Sequence, residues 1–155
     1  MNVMAALKGD PGALSDASPR LVRVICRLLI TDRSGRVLLV RYPCREARAE
    51  WTLPGGAALS GEAIGLAGTR RLHEQFGVLS WPHCLVSVTE KQDGAEGSIT
   101  VVHAASIMSG ELIMEDISRV LEAGWFSPGD LPEAMAAEAL EALSSRGSVA
   151  ACAVV

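Results

Sequence analysis

The sequence predicts a single mixed α/β (α+β) domain, and three observations lead to that fold class. The chain has 155 residues, which is the usual size of one domain. Its apolar fraction is 49% and its mean hydropathy is +0.27, so it can build a real core and is not a disordered protein. The predicted elements alternate in type: three strands, a helix, further strands and a final helix.

The first two predicted strands flank a short turn. The segment 21–31 (LVRVICRLLIT) is almost entirely apolar, which favours a strand buried on both faces. The next four residues, 32–35 (DRSG), are turn formers, and Gly35 can adopt a positive φ. Residues 36–41 (RVLLVR) then predict the return strand of a hairpin.

The middle of the chain predicts a short strand, a glycine turn and a helix. A loop over 42–50 precedes the strand 51–53, which we expect to stop at a tight turn formed by Pro54, Gly55 and Gly56. The pattern over 61–76 is helical, with Ser60 as the expected N-cap and Gly77 at the C-cap position.

The last third predicts two strands over 85–89 and 99–107, and a short strand at Trp125 and Phe126. A final helix is expected to begin at the turn 127–130 and to end near Leu143. We divide the chain into a flexible lead-in (1–19), a folded domain (20–146) and an apolar tail (147–155).

Composition narrows the class of function. The net charge is −4 and no run of Lys or Arg occurs, which argues against a nucleic-acid partner. The four cysteines are scattered without zinc spacing, no signal peptide is recognisable and no apolar stretch reaches the length of a membrane span. We therefore expect a cytoplasmic protein without a membrane partner. The apolar tail hints at a homodimer.

A motif over 56–78 carries the functional information. It resembles the Nudix box of the MutT-like pyrophosphohydrolases, G-x5-E-x7-R-E-U-x-E-E-x-G-U, where U is a bulky aliphatic residue. Two positions depart from it: Arg71 and Gln75 stand where the family has glutamates. Seven positions are in register: Gly56, Glu62, Arg70, Leu72, Glu74, Gly77 and Val78. The lead-in WTLPGG and the later WF and LP pairs extend the resemblance to about residues 20–143.

The resemblance implies a Nudix-type α/β/α sandwich with a mixed central sheet. It also implies metal-dependent hydrolysis of a nucleoside diphosphate linked to another moiety, with Mg²⁺ or Mn²⁺ as the cofactor. Glu74 would be the remaining catalytic metal ligand and Gly56 a carbonyl donor, while Gln75 could offer a weak metal contact. Arg70 lies one helical turn from Glu74 and would orient it through an i,i+4 pair.

The two departures remove the negative charge that a divalent cation needs. A full family triad carries −3, whereas Arg71, Glu74 and Gln75 sum to zero. At about 4 Å and an effective dielectric near 20, each pair of unit charges interacts by roughly 4 kcal/mol before screening. We therefore expect impaired hydrolysis. The alternative is a catalytically silent Nudix-fold module that binds a nucleotide-like small molecule or a protein.

Each candidate residue also has a simpler interpretation. Glu74 could serve only to pair with Arg70 and hold the helix. Arg71 could be a solvated residue on the helix face, or it could contact a phosphate of the ligand in place of the metal. Arg41 and Arg48 are ordinary surface charges unless their position near the Trp51 strand lets them bind substrate phosphates.

Overall fold

The computed structural model describes residues 21–44, 48–94, 96–114 and 119–145. The expected lead-in (1–19) and apolar tail (147–155) lie outside the described residues. Neither helix within those ranges is long and apolar enough to cross a membrane.

The described chain forms two sheets. The four-stranded sheet has the order β4-β1-β6-β5, and the three-stranded sheet has the order β3-β2-β7. The strands are β1 (Val22–Ile30), β2 (Val37–Arg41), β3 (Trp51–Thr52), β4 (Gly55–Ala57), β5 (Leu79–Asp93), β6 (Glu96–Ser109) and β7 (Glu122–Phe126). β1 runs parallel to β6 and antiparallel to β4, so the larger sheet is mixed. The predicted fold class is confirmed.

The turn between β1 and β2 does not close an ordinary hairpin. Asp32 accepts hydrogen bonds from the backbone of Ser34 and Arg36, and Gly35 has φ 80°, as a tight turn requires. However, only the bridge between Thr31 and Val37 joins the two strands, since β2 continues into the smaller sheet. The expected turn is present, but the expected hairpin pairing is wrong.

Two helices pack on opposite sides of β1. Helix α1 (Ile64–Phe76) covers the face that carries Leu28, and helix α2 (Ala137–Ser144) covers the face that carries Leu29. Alternate residues of β1 therefore belong to two hydrophobic clusters, as expected for a strand buried on both sides. The approach of α1 is close, because a Cβ at Gly68 would lie 2.9 Å from Leu28 Cδ2.

Both predicted helix starts are wrong, whereas the predicted C-cap is confirmed. The N-cap of α1 is Ala63, without a side-chain cap, and not Ser60. Gly77 ends α1 with φ 73° and donates its N–H to the carbonyl of His73. α2 begins only at Ala137 because the preceding backbone pairs with Trp51, which donates to Ala134 O and accepts from Ala136 N.

Candidate functional site

The site is built on β4, which pairs with β1 beside the start of α1. Gly55 lies opposite Arg27 and Gly56 opposite Cys26, so this segment is a short strand and the expected tight turn is wrong. Gly55 has φ 145°, and a Cβ at this position would overlap the carbonyl oxygen of Cys26. Only glycine therefore fits at this position. We call Pro54 and β4 together the loop, and its backbone is held tightly against β1.

A closed ring of hydrogen bonds joins this loop to α1. The N–H of Gly55 donates to the Tyr42 hydroxyl (2.9 Å), and that hydroxyl donates to Gln75 Oε1 (2.8 Å). Gln75 Nε2 then donates to the carbonyl of Gly55 (3.0 Å). Since that carbonyl can only accept, the amide of Gln75 must present its nitrogen there. We call Tyr42, Gly55 and Gln75 the Gly55 bracket.

A second network, the Arg70 clamp, consists of Glu62, Arg70 and Glu74. Arg70 binds Glu62 through two bonds, Nε–Oε2 at 2.6 Å and Nη2–Oε1 at 3.0 Å. Its Nη1 donates to Glu74 Oε1 at 3.0 Å, so the expected i,i+4 pair is present. Nη2 also donates to the carbonyl of Ala57 at 3.2 Å, which ties the clamp to β4.

Arg71 extends over the loop instead of turning away to solvent. Its Nη1 donates to Glu74 Oε2 at 3.0 Å, so both carboxylate oxygens of Glu74 carry a guanidinium donor. Its Nε lies so close to Gly56 that a Cβ there would overlap it. That Nε is buried and has no hydrogen-bond partner among the described residues.

The structure adds Arg27 to the site. This residue of β1 pairs with Gly55 in the sheet, and its guanidinium carbon lies 5.1 Å from the centre of the Tyr42 ring. Its Nε is also buried without a hydrogen-bond partner in the described chain. An arginine inside a nearly apolar strand was the available signal for it, since buried charge needs a reason.

The other two predicted arginines are not brought into these networks. Arg41 lies over the Trp51 ring at 5.6 Å, and its Nε is 3.5 Å from Glu122 Oε2, within the smaller sheet. Arg48 is exposed in the segment before β3. Their assignment to substrate phosphates stays a prediction.

Ion pairing dominates the electrostatics of the clamp. The hydrogen bond from Arg70 holds the pKa of Glu62 below its usual value, and the same pairing raises the pKa of Arg70. Burial acts to raise the pKa of Glu74, but the bonds and charges of Arg70 and Arg71 outweigh it and the net pKa is lowered. All three groups are therefore charged at neutral pH. In the bracket, burial raises the pKa of Tyr42, which keeps its hydroxyl proton.

The side chains at this site do not fit a divalent cation. Hard cations take oxygen ligands, but Gln75 presents an N–H donor to the Gly55 carbonyl and Glu74 has both oxygens bound to arginines. Arg71 adds a positive charge beside Gly56. Across the described ranges, no group of three His, Cys, Asp or Glu side chains could hold a metal ion.

Sequence reasoning missed two residues of the site, Arg27 and Tyr42, and named Glu62 only as a box position in register, without a role. Tyr42 was hidden in a loop, and its role depends on a contact with Gln75 that is 33 positions away in the chain. A glutamine at a position where a carboxylate is usual was the available signal that this side chain donates a hydrogen bond within the protein.

The comparisons with known proteins agree on the family. The NUDIX domain model matches residues 20–145. The curated relative "8-oxo-dGDP phosphatase NUDT18" of Mus musculus is 33% identical over 118 residues, 73% of this chain and 36% of the relative. Its Homo sapiens counterpart is 29% identical over 130 residues, 83% of this chain and 39% of that protein. This chain thus spans less than two fifths of the length of these two relatives.

A solved structure supports the same assignment. The MutT NUDIX hydrolase from Burkholderia pseudomallei superimposes with a TM-score of 0.72 at 31% identity, covering 81% of this chain and 98% of that one. Nudix hydrolases generally use divalent metal ions. The domain match, the fold and the motif over 56–78 show that this chain belongs to the NUDIX family of hydrolases.

Proposed function

We propose that the chain binds a nucleoside diphosphate, free or linked to another moiety, at the loop of β4 and hydrolyses its phosphoanhydride slowly. One observation carries the proposal: the single acidic residue retained in the second half of the box, Glu74, has both oxygens bound to arginines. The carboxylate that should recruit a cation is thereby neutralised. The box still positions the loop, but without the acidic patch that drives fast hydrolysis.

Each side chain then has a task in binding or orientation. The Gly55 bracket fixes the loop backbone, and the Arg70 clamp holds α1 against it. We assign to Glu74, which lies between Arg70 and Arg71, the role of accepting a proton from an attacking water. Its lowered pKa makes it a weak base near neutral pH, and this limits the expected rate.

The relatives suggest which base to test. Both curated relatives carry the name 8-oxo-dGDP phosphatase, so an oxidised deoxyguanosine diphosphate belongs among the probes. The hydrogen bonds of the Gly55 bracket and the Arg70 clamp join protein groups to one another, and we assign none of them to the base. The base therefore has to be selected by other parts of the chain.

Calorimetry and a phosphate-release assay together test the proposal. We expect the wild type to bind 8-oxo-dGDP, dGDP or ADP-ribose, and to release product far more slowly than a Nudix hydrolase with a full acidic box assayed beside it. Failure to bind any of these probes, with or without Mg²⁺ or Mn²⁺, would contradict the proposal.

A second candidate is an efficient metal-dependent hydrolase of the same substrate class. Family membership and the names of the relatives favour it. In this case Mg²⁺ or Mn²⁺ would displace Arg71 from Glu74, and turnover would rise steeply with metal concentration. A saturating metal dependence with rapid turnover would select this candidate over the first.

The cytoplasmic location and the homodimer stay predictions. Strand β5 is an edge strand, and it exposes apolar side chains at Leu79, Trp81, Leu85 and Val88. Size-exclusion chromatography with light scattering measures whether the chain pairs in solution. Elution as a monomer at all protein concentrations would contradict the dimer.

A further inference from the structure

We infer that Arg27 and Arg71 together replace the divalent cation, so that this site binds the diphosphate group of its ligand without metal. The inference rests on the proposed function and names what recognises the phosphates. It predicts that added Mg²⁺ lowers the affinity for the diphosphate ligand, whereas a metal-dependent site would gain affinity.

The position of Arg71 supports its proposed role in binding the diphosphate. Its guanidinium lies on Gly56, where any side chain at residue 56 would overlap it. One of its nitrogens, Nη1, is engaged by Glu74, which fixes the direction of the group. Its buried Nε has no acceptor among the described residues. The Nη2 atom of the same guanidinium also lies beside Gly56, and it is the donor that an anion at the loop would meet.

Arg27 lies on β1, the strand that pairs with the loop, and is the second arginine of the proposed site. Arg27 and Gly55 are directly paired in the sheet, so their backbones are neighbours. The Tyr42 ring supports its guanidinium at 5.1 Å, and its buried Nε has no hydrogen-bond partner in the described chain. No carboxylate within 21–44, 48–94, 96–114 and 119–145 forms a salt bridge with Arg27.

The charges around the loop complement an anion. Arg70 and Glu62 cancel within the clamp, which leaves Arg27, Arg71 and Glu74. Two positive charges and one negative charge sum to +1 beside the loop. A free diphosphate is strongly anionic, whereas its Mg²⁺ complex carries two fewer negative charges. Electrostatics therefore favours the free nucleotide over its metal complex.

The test is calorimetric titration of the wild type with ADP and with inorganic pyrophosphate, each in EDTA and in excess Mg²⁺. We expect binding of both probes in EDTA and weaker binding in Mg²⁺. In EDTA, Arg71→Gln and Arg27→Gln should each weaken ADP binding roughly 10-fold or more, as expected for loss of one charged hydrogen-bonding group. Arg33→Gln, at an exposed turn residue, is the matched control and should bind as the wild type does.

Thermal unfolding of each variant checks that it folds. If Arg27→Gln does not fold, Arg27→Lys replaces it, and it should still weaken binding because lysine lacks the guanidinium fork. Binding that requires Mg²⁺, or arginine variants that bind like the wild type, would overturn the inference and leave the proposed function standing. Absence of ADP binding in both buffers, together with no binding of 8-oxo-dGDP, dGDP or ADP-ribose, would overturn the proposed function itself.

Discussion

The Gly55 bracket and the Arg70 clamp both tie α1 to the loop of β4, but they do so with different chemistry. The bracket is neutral: the Gly55 N–H, the Tyr42 hydroxyl, the buried amide of Gln75 and the Gly55 carbonyl form a closed ring of hydrogen bonds. The clamp is ionic and lies nearer the surface, where Arg70 binds two carboxylates and one carbonyl.

The difference shows which part of the box has been replaced. In the clamp, Glu62, Arg70 and Glu74 keep the residue types of the family box. In the bracket, the Gln75 amide donates a hydrogen bond directly to the Gly55 carbonyl. A carboxylate at position 75 could not do so, because carboxylate and carbonyl oxygens are both acceptors and a cation would have to lie between them. The bracket thus holds the loop against α1 through hydrogen bonds among Tyr42, Gly55 and Gln75, and four measurements can separate the two networks.

The largest effect is expected from Gly55→Ala, which attacks the bracket at its backbone. The new Cβ would overlap Cys26 O, and φ 145° is strained for any L side chain. We expect a loss of about 3 kcal/mol or more in the free energy of unfolding, and a thermal midpoint lower by about 10 °C. Gly129→Ala is the control, since its Cβ would meet nothing within 4 Å. Equal midpoints for the two variants would contradict the role of Gly55.

The next effect is expected from the double variant Arg71→Glu with Gln75→Glu, which restores the family carboxylates. In EDTA, three clustered carboxylates repel one another and destabilise α1. With Mn²⁺ at about 100 times its dissociation constant, binding should add about 2.7 kcal/mol to stability. Thermal unfolding with and without Mn²⁺ measures this gain.

A control with the same change in net charge is Arg33→Glu with Gln92→Glu, since both residues are exposed and lie outside the two networks. It should gain no more from Mn²⁺ than the wild type does. If the double variant at 71 and 75 folds yet gains nothing either, our account of the charge is wrong.

Tyr42→Phe tests the bracket with a smaller change. It leaves the Gly55 N–H and one side of the Gln75 amide oxygen without their partner, at a cost of about 1–2 kcal/mol in chemical denaturation. Combined with Gln75→Leu in a double-mutant cycle, the two losses should be less than additive, because they break the same ring. Strict additivity would show that the ring is not cooperative.

The smallest effect concerns the clamp and appears only in acid. The folded-state pKa of Glu62 is lowered from 4.5, so its contribution to stability is complete above that value and is lost as the pH falls through the lowered pKa. Glu62→Gln should therefore flatten the decline of the thermal midpoint between neutral pH and about pH 3. An unchanged slope would mean that the clamp adds nothing to stability.

Local patterns predicted part of this structure, and contacts between distant segments determined the rest. The apolar run of β1 and the Gly77 cap follow from short-range rules, and both are confirmed. The start of α2 was misjudged because Trp51 recruits the backbone before it into a bridge. At the site, the pairing of Arg70 with Glu74 follows from helical spacing. The burial of Gln75 does not, because it depends on Tyr42, a residue of a different element.

Tyr42 is the only tyrosine in the chain. A fluorinated tyrosine incorporated during expression would therefore give one ¹⁹F resonance, and this resonance would originate beside the loop. Its hydroxyl touches both Gly55 and Gln75, and its ring touches Arg27. Arrival of a nucleotide, an ion or a proton at this place could thus be followed by NMR without assigning any other signal.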